Sequence, residues 1–393
     1  MVGSGGATNT NGQRRFGYLT LVSNQSTGYT FGSGGTTQGY GGISITDYGT
    51  DVKWSRSHKQ DLGVEFKTFD SKLSVTLDYF DEQRTGVFLQ RASLADYAGF
   101  INNPWANLGV INNKGFDGTL ETESIHAGAT SWTFRGTFSY NRDKVIQNDD
   151  PVQPYPYMER RGVNINSTFG YVAEGLFQSE QEIATHATQA PLGNVRVGDI
   201  KYKDLNGDGK IDANDQKRIG NGDFPNWTLG AGFNVQWKQW NFGAFFQGIV
   251  GAQKQLGGDG IFPFSNSTGA ERSNLFAVAE DRWSPDNPKT HPFYPRLAYG
   301  NAQNSNNDVT STWWEKNIDF VRLKTMDLGY ALPRGTLKGI GLRSGRFYIQ
   351  GVNLLYWSKF KLWDPELSTN GGTSNGTKYP NTRNVTFGFQ ANF

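Results

Sequence analysis

The chain has 393 residues, a net charge of +2, 19% charged and 14% aromatic residues, 50 glycines and no cysteine. That balance describes a folded, polar, β-rich protein and excludes a coiled coil, a long acidic disordered chain and an electrostatic nucleic-acid binder. Disulfide frameworks, thiolate zinc sites and cysteine nucleophiles are excluded as well, and there is no apolar run of about 18 residues to form a transmembrane helix.

Residues 1–50 are rich in Gly, Thr and Ser and are expected to contribute one or two strands and a loop. The opening Met-Val-Gly-Ser-Gly-Gly-Ala-Thr has neither the basic stretch nor the apolar run of a signal peptide. From Leu73 to Tyr79, apolar residues alternate with Ser74, Thr76 and Asp78, the period of a strand. Residues 86–123 read as a long polar loop. Trp132, Phe134, Gly136, Phe138 and Tyr140 then alternate with polar residues, and 142–226 reads as a second long loop.

The clearest strand is Trp227–Trp237, where Trp227, Leu229, Ala231, Phe233, Val235 and Trp237 alternate with Thr, Gly, Asn and Gln. Lys238-Gln239 is a tight turn, and alternation resumes at Trp240, Phe242, Ala244 and Phe246. Residues 251–317 form a third long loop, with a helix expected at Ala270–Trp283. Val385–Phe393 is a final alternating strand ending on an aromatic. Soluble sandwich strands usually run about 5–6 residues, whereas a tilted strand crossing a bilayer needs about 9–11 with aromatics near its ends. Short turns at one end and long loops at the other also fit a membrane barrel. A lectin-like sandwich with long strands accounts for the alternation too.

Residues with chemistry are sparse. His58, His126, His186 and His291 are scattered, and Gly209-Lys210 is followed by Ile211 rather than the hydroxyl residue a phosphate loop needs. Glu121 and Glu123 fall on one side of a strand, where a solvated strand end explains them better than a catalytic pair. No enzyme is expected. One motif stands out: Asp204, Asn206, Asp208, Lys210 through its backbone carbonyl, Asp212 and Asp215 occupy the positions of a calcium loop, with Gly209 at the sharp turn. Asp215 is shorter than the usual Glu at the last position, so the bidentate reach is smaller. An ion-free Asn/Asp/Gly turn cluster is the alternative. Trp105, Tyr155, Tyr157, Phe262, Phe264, Trp313 and Trp314 could stack on sugars or serve as interfacial girdle and loop packing; Trp313-Trp314, just before a strand, favours the girdle.

A set of motifs in fixed order resembles the late barrel of SusC/RagA-type TonB-dependent transporters. It comprises Gly170–Gln178, Asp204–Asp215 followed by Ile219-Gly220-Asn221, Trp227–Gln247, Arg282–Pro288 with Tyr294-Pro295-Arg296, Phe320–Lys324 leading to Leu328–Pro333, and Val352–Leu355 with Trp363-Asp364-Pro365-Glu366. Trp54–Phe80 and Phe138–Val145 match more loosely. The resemblance implies an all-β fold, the C-terminal part of a large antiparallel transmembrane β-barrel of about 22 strands, of which this chain would supply about ten to twelve. The plug is expected to be absent, and residues 51–393 to be barrel and long extracellular loops. The resemblance further implies an outer-membrane location and uptake of oligosaccharides or peptides. The implied partners are a SusD-like surface lipoprotein, the TonB complex acting through the missing plug, and the lipid bilayer, with no nucleic acid. Calcium in 204–215 would be structural, and the terminal Phe393 would be read by barrel-assembly machinery. The competing expectation is a secreted calcium-stabilised carbohydrate-binding β-sandwich.

Overall fold

The computed structural model describes residues 17–32, 38–258, 260–263, 276–299, 305–333, 335–336, 339, 341–367 and 381–393. The strands are β1 (Leu21–Phe31), β2 (Gln38–Asp47), β3 (Arg56–Thr68), β4 (Leu73–Gln90), β5 (Trp105–Thr122), β6 (Ile125–Ala127), β7 (Thr130–Gln147), β8 (Thr168–Gly170), β9 (Ala173–Leu176), β10 (Ile200–Tyr202), β11 (Lys217–Gly220), β12 (Trp227–Trp237), β13 (Trp240–Val250), β14 (Gln253–Gln255), β15 (Glu315–Asn317), β16 (Phe320–Ala331), β17 (Ser344–Ser358) and β18 (Asn384–Asn392). The main sheet runs β3-β4-β5-β7-β12-β13-β16-β17-β18, a meander in chain order, with β6 folded onto β7. β1 and β2 form their own antiparallel pair. Among the described residues, helix is limited to Glu180–Thr185 and short 3-10 turns.

The register shows why the alternating residues were placed as they are. Trp132, Val235, Phe242, Leu328, Ile349 and Phe387 are directly opposed, one from each of six successive strands. A second rank, Trp237, Trp240, Tyr330, Phe347 and Phe389, lies beside the two-residue turn Lys238-Gln239. Because the side-chain period is two, each rank lies on one face of the sheet. That face is open: Phe387 is 74% exposed, and Leu229, Trp237, Trp240, Phe347, Trp357 and Val385 are exposed as well. Aromatics concentrated at a turn end of an apolar face are the girdle of a membrane barrel. A sandwich would bury this face against a second sheet.

The alternation in β16 changes phase. Val321 and Leu323 share the apolar face with Met326, Leu328 and Tyr330, although their numbers differ in parity. The register slips at Lys324 against both neighbours, and Asn353 across from it takes φ 55°. This bulge absorbs one residue and returns the apolar side chains to the same face. On the polar face, Asn241 donates to Asp327 (2.7 Å) and Arg346 donates to Asn241 (3.1 Å) while pairing with Asp327. Gly329 lies beneath this triad; a Cβ there would meet Asn241 Oδ1 at 2.3 Å and Arg346 Nε at 2.4 Å.

The chain divides into two compact units. The first comprises Met1–Leu62, Tyr79–Gly115 and Arg142–Ile165. In it, Glu82 accepts from Ser57 (2.6 Å) and pairs with Lys59 and Arg84, and Asp149 accepts from Arg91 and from the backbone of Ala92 and Ser93. The second comprises Gly63–Asp78, Phe116–Asn141 and Asn166–Phe393. Its packed core lies in the strand connections, where Tyr202, Ile211, Leu256, Trp283, Tyr294 and Trp314 are buried together.

Three expectations are corrected. Residues 86–123 are not one loop: β4 extends to Gln90 and β5 fills Trp105–Thr122, whose apolar Trp105, Leu108, Val110, Ile111, Phe116 and Leu120 do not alternate strictly. Ala270–Trp283 is not a described helix; its described part carries only a 3-10 turn at Ala277–Glu280, and 270–275 lie outside the described residues. Trp313 and Trp314 are not girdle: Trp314 is 1% exposed in the connection core, donating to the Asn307 carbonyl at 2.6 Å.

An Arg at the midplane of the open face should cost about 2–4 kcal/mol in lipid. Phe387→Arg in the full-length protein is therefore expected to lower the urea midpoint of the folded, heat-modifiable form in lipid vesicles. Thr386→Arg, on the opposite face, should leave it near wild type; equal loss from both would contradict the face assignment.

Candidate functional site

A buried polar lattice holds the connections of the second unit in place. Asp199, fully buried, accepts both Arg296 Nε (2.9 Å) and a terminal Arg296 nitrogen (3.1 Å), and also Asn307 Nδ2 (2.8 Å) and Arg196 N (2.8 Å). Asn307 Oδ1 accepts Ile200 N at 2.9 Å. Gln189 donates to the Ile200 carbonyl (2.9 Å) and accepts Tyr202 N (2.7 Å), closing β10 from the side. A buried bidentate Arg–carboxylate pair is stabilising when its remaining lone pairs are matched, as they are here. Gly198, at φ +88°, packs against the Trp283 indole; a Cβ there would fall 2.2 Å from the ring.

A second ion-pair cluster joins β16 to the segment after β17. Arg322, 1% exposed, pairs with Asp364 and lies 3.1 Å from Glu366 Oε2, while Lys324 pairs with Glu366 at 3.1 Å. The Arg322 guanidinium also sits over the Phe320 and Tyr356 rings, at 5.5 and 5.3 Å. Two motifs separated by some forty residues in sequence (|i−j| = 42) are thus one contact.

Loop 204–215 is ordered by its own side chains. Asp204 accepts Gly207 N (2.7 Å) and Gly209 N (2.9 Å), Asn206 accepts Asp208 N (3.1 Å), and Asp208 accepts Lys210 N (2.9 Å). Asp212 caps the 3-10 turn Ala213–Asp215. The fully buried Asp215 reaches back to Leu205 N (2.7 Å) and Asp212 N (2.9 Å). Burial works against the Asp204 carboxylate, but backbone N–H groups from Gly209, Gly207, Asp208 and Asn206 outweigh it and hold its pKa below the ordinary value. The loop docks through Ile211, which is buried, and through Thr188, whose backbone bonds Gly209 O and Ile211 N. Among the described residues no three His, Asp or Glu side chains are grouped so as to hold a metal.

The remaining sequence candidates are dispersed. Glu121 on β5 pairs with Arg135 on β7 at 3.1 Å with both side chains half exposed, and Glu123 lies past the strand end, its N–H on the Lys72 carbonyl. Trp105 stacks on Phe88 (5.4 Å) and Tyr155 on Tyr157 (5.3 Å). Phe262 packs edge-on against Trp314 (5.1 Å), and Phe264 lies outside the described residues. Asp199, Gln189, Asn306 and Asn307 carried no local signal. The Arg296 of Tyr294-Pro295-Arg296 was the only hint, and its carboxylate partner is 97 positions away.

Two half-buried acids of these connections, Asp308 and Glu315, have their pKa raised by desolvation, and Glu315 lies on β15. Desolvation raises its pKa to about 7, against a smaller lowering by the Thr168 side chain, and its Oε1 has no hydrogen-bond partner. The folded state therefore keeps this proton to higher pH than the unfolded chain. Stability from this group is present below the unfolded pKa near 4.5 and is lost as pH rises to about 7. Hydrogen exchange of the β14–β15 amides should accordingly quicken from pH 5 to pH 7, after correction for intrinsic rates. Glu315→Gln should flatten that dependence, and an unchanged slope in the variant would rule out Glu315 as its source.

Comparison with known proteins agrees with the register. A family model for the TonB dependent receptor-like β-barrel matches residues 10–249. The chain is 28% identical over 376 residues to TonB-dependent receptor P3 of Formosa agariphila, covering 90% of this chain and 36% of that protein. It is 26% identical over 361 residues to TonB-dependent receptor P26 of the same organism, covering 87% and 35%. The chain thus spans about a third of the length of the curated relatives it matches. In fold it is similar to the RagAB peptide importer in its open-open state, with a TM-score of 0.67 and 22% identity, covering 98% of this chain and 38% of that one. The RagAB peptide transporter gives a TM-score of 0.66 at 21% identity, covering 95% and 38%.

Proposed function

The chain belongs to the TonB dependent receptor-like β-barrel family, and on that premise we propose that it forms the C-terminal wall and outward loops of an outer-membrane importer. The importer takes up oligosaccharides or peptides together with a SusD-like surface lipoprotein, and is energised by the TonB complex. One observation carries the reading: the strands leave an aromatic-flanked apolar face open, while the packed core lies in the connections. Such a sheet needs lipid on that face and strand partners at β3 and β18. The connections have the rigidity to shape a substrate vestibule and a lid contact. Nothing in the reading requires bond chemistry from these residues.

Deleting the gene for the full-length protein should abolish accumulation of labelled oligosaccharide or peptide by intact cells, and collapsing the proton gradient should do the same in wild type. Uptake untouched by both treatments would refute the importer.

Calcium is the second element of the proposal. Asp204, Asn206, Asp208, Asp212, Asp215 and the Lys210 carbonyl are hard oxygen donors within one twelve-residue loop; their carboxylates bond the loop's own backbone and are not gathered round one point, so an ion would have to draw them together. Extracellular sites of this kind bind calcium at about 10⁻⁴–10⁻³ M, so the role is to order the loop. Asp204→Ala with Asp208→Ala should raise protease cleavage within 204–215 to the level a chelator produces in wild type. Identical cleavage in wild type with and without calcium would leave the loop a self-capped turn.

A further inference from the structure

A pocket of about 390 Å³ opens beside the segment that follows β17, within the size range of small-ligand sites. Its wall is apolar, formed by Val278, Phe293, Phe360 and Leu362. Phe360 is anchored: its N–H donates to Ser358 Oγ (3.1 Å), and its ring meets Trp363 edge-on at 4.9 Å. Its sequence neighbours Lys359 and Lys361 are exposed and line the same pocket. Lys316 also lines the pocket, donating to the Trp313 carbonyl (2.7 Å) with its ammonium 5.7 Å from the centre of the Phe293 ring.

The polar balance of this pocket is one-sided. Asp281 is already matched by Lys289 (2.6 Å) and by Phe293 N (2.9 Å). Asn317 is spent on Asp319, donating at 2.9 Å and accepting its N–H at 2.8 Å. Among the described residues Lys359 and Lys361 have no carboxylate partner, and Lys316 uses one of its three donors. Burial holds the Lys316 ammonium below the ordinary lysine range, a penalty that a bound anion would relieve.

We propose that this pocket binds the free carboxylate end of a peptide whose last residue is apolar, the side chain against Phe360 and Phe293 and the carboxylate among Lys316, Lys359 and Lys361. A sugar ring would need donor–acceptor pairs for its hydroxyls, and the pocket's amide and carboxylate are both engaged; what it offers is ammonium donors over an apolar floor. The inference rests on the importer reading and narrows its substrate class to peptides.

The test uses the full-length protein in detergent, with calorimetric titration of acetyl-Ala-Phe, its C-terminal amide and trigalacturonate. The free acid should bind and the amide should bind about tenfold more weakly, the scale of a charge-assisted hydrogen bond. Lys359→Gln with Lys361→Gln, both at exposed positions without a carboxylate partner among the described residues, should weaken the acid about tenfold and leave the amide unchanged; Arg at both positions should restore binding. Equal affinity for acid and amide, an unaffected double variant, or tighter binding of trigalacturonate than of the peptide would each overturn the proposal. Energised uptake separates the two readings. Peptide binding without protonophore-sensitive uptake refutes the importer and leaves the pocket standing. Uptake by the double variant with an unchanged KM refutes the pocket and leaves the importer standing.

Discussion

Backbone hydrogen bonding is the constraint on which the rest of this structure depends. In hydrocarbon an unmet N–H or C=O costs several kcal/mol, so each lipid-facing strand must be paired along its length with a neighbour. A chain-order antiparallel meander meets that requirement with the shortest connections available. β12 and β13 show it directly: eleven opposed pairs, from Trp227↔Val250 to Trp237↔Trp240, joined by two residues. Once pairing is continuous, the register places Trp132, Val235, Phe242, Leu328, Ile349 and Phe387 in one rank, and the outer face follows.

Continuity of pairing also explains the bulge at Lys324. A slip of one residue would turn the apolar side chains of half of β16 to the polar face. The extra residue at Lys324, with the left-handed Asn353 across from it, corrects the phase without breaking the sheet. It also lies where Arg322 and Lys324 reach Asp364 and Glu366. A sheet irregularity therefore serves as the anchor for the connection after β17, the same connection that carries Lys359, Phe360 and Lys361.

The connections are organised by a different principle from the strands. They bury their own aromatic core around Trp314 and Tyr294, match the Asp199 carboxylate with Arg296, and bond the backbone of Ile200 and Tyr202 through Gln189 and Asn307. Strands shaped by lipid and loops shaped by self-packing can coexist because each solves its own desolvation problem. Long connections ordered in this way present fixed side chains outward, which recognition requires.

The strands of this protein were legible because their determinant is local. Period-two alternation with tryptophan at both ends of Trp227–Trp237 is a property of eleven consecutive residues, and the lipid or core that reads it sees only one face. The tight turn at Lys238-Gln239 and the self-capped loop 204–215 were legible for the same reason, since their hydrogen bonds span only two to ten residues. β5 lacks that signal because its faces are less sharply divided, and in β16 the bulge breaks the period. Which residues meet in the connections was decided by tertiary structure alone. Asp199 meets Arg296 across 97 positions, Arg322 meets Asp364 across 42, and Lys316 comes to the pocket beside Lys359 through the pairing of β16 with β17. Charge pairing and burial act through space, and chain distance carries no trace of them until the sheet has closed the gap.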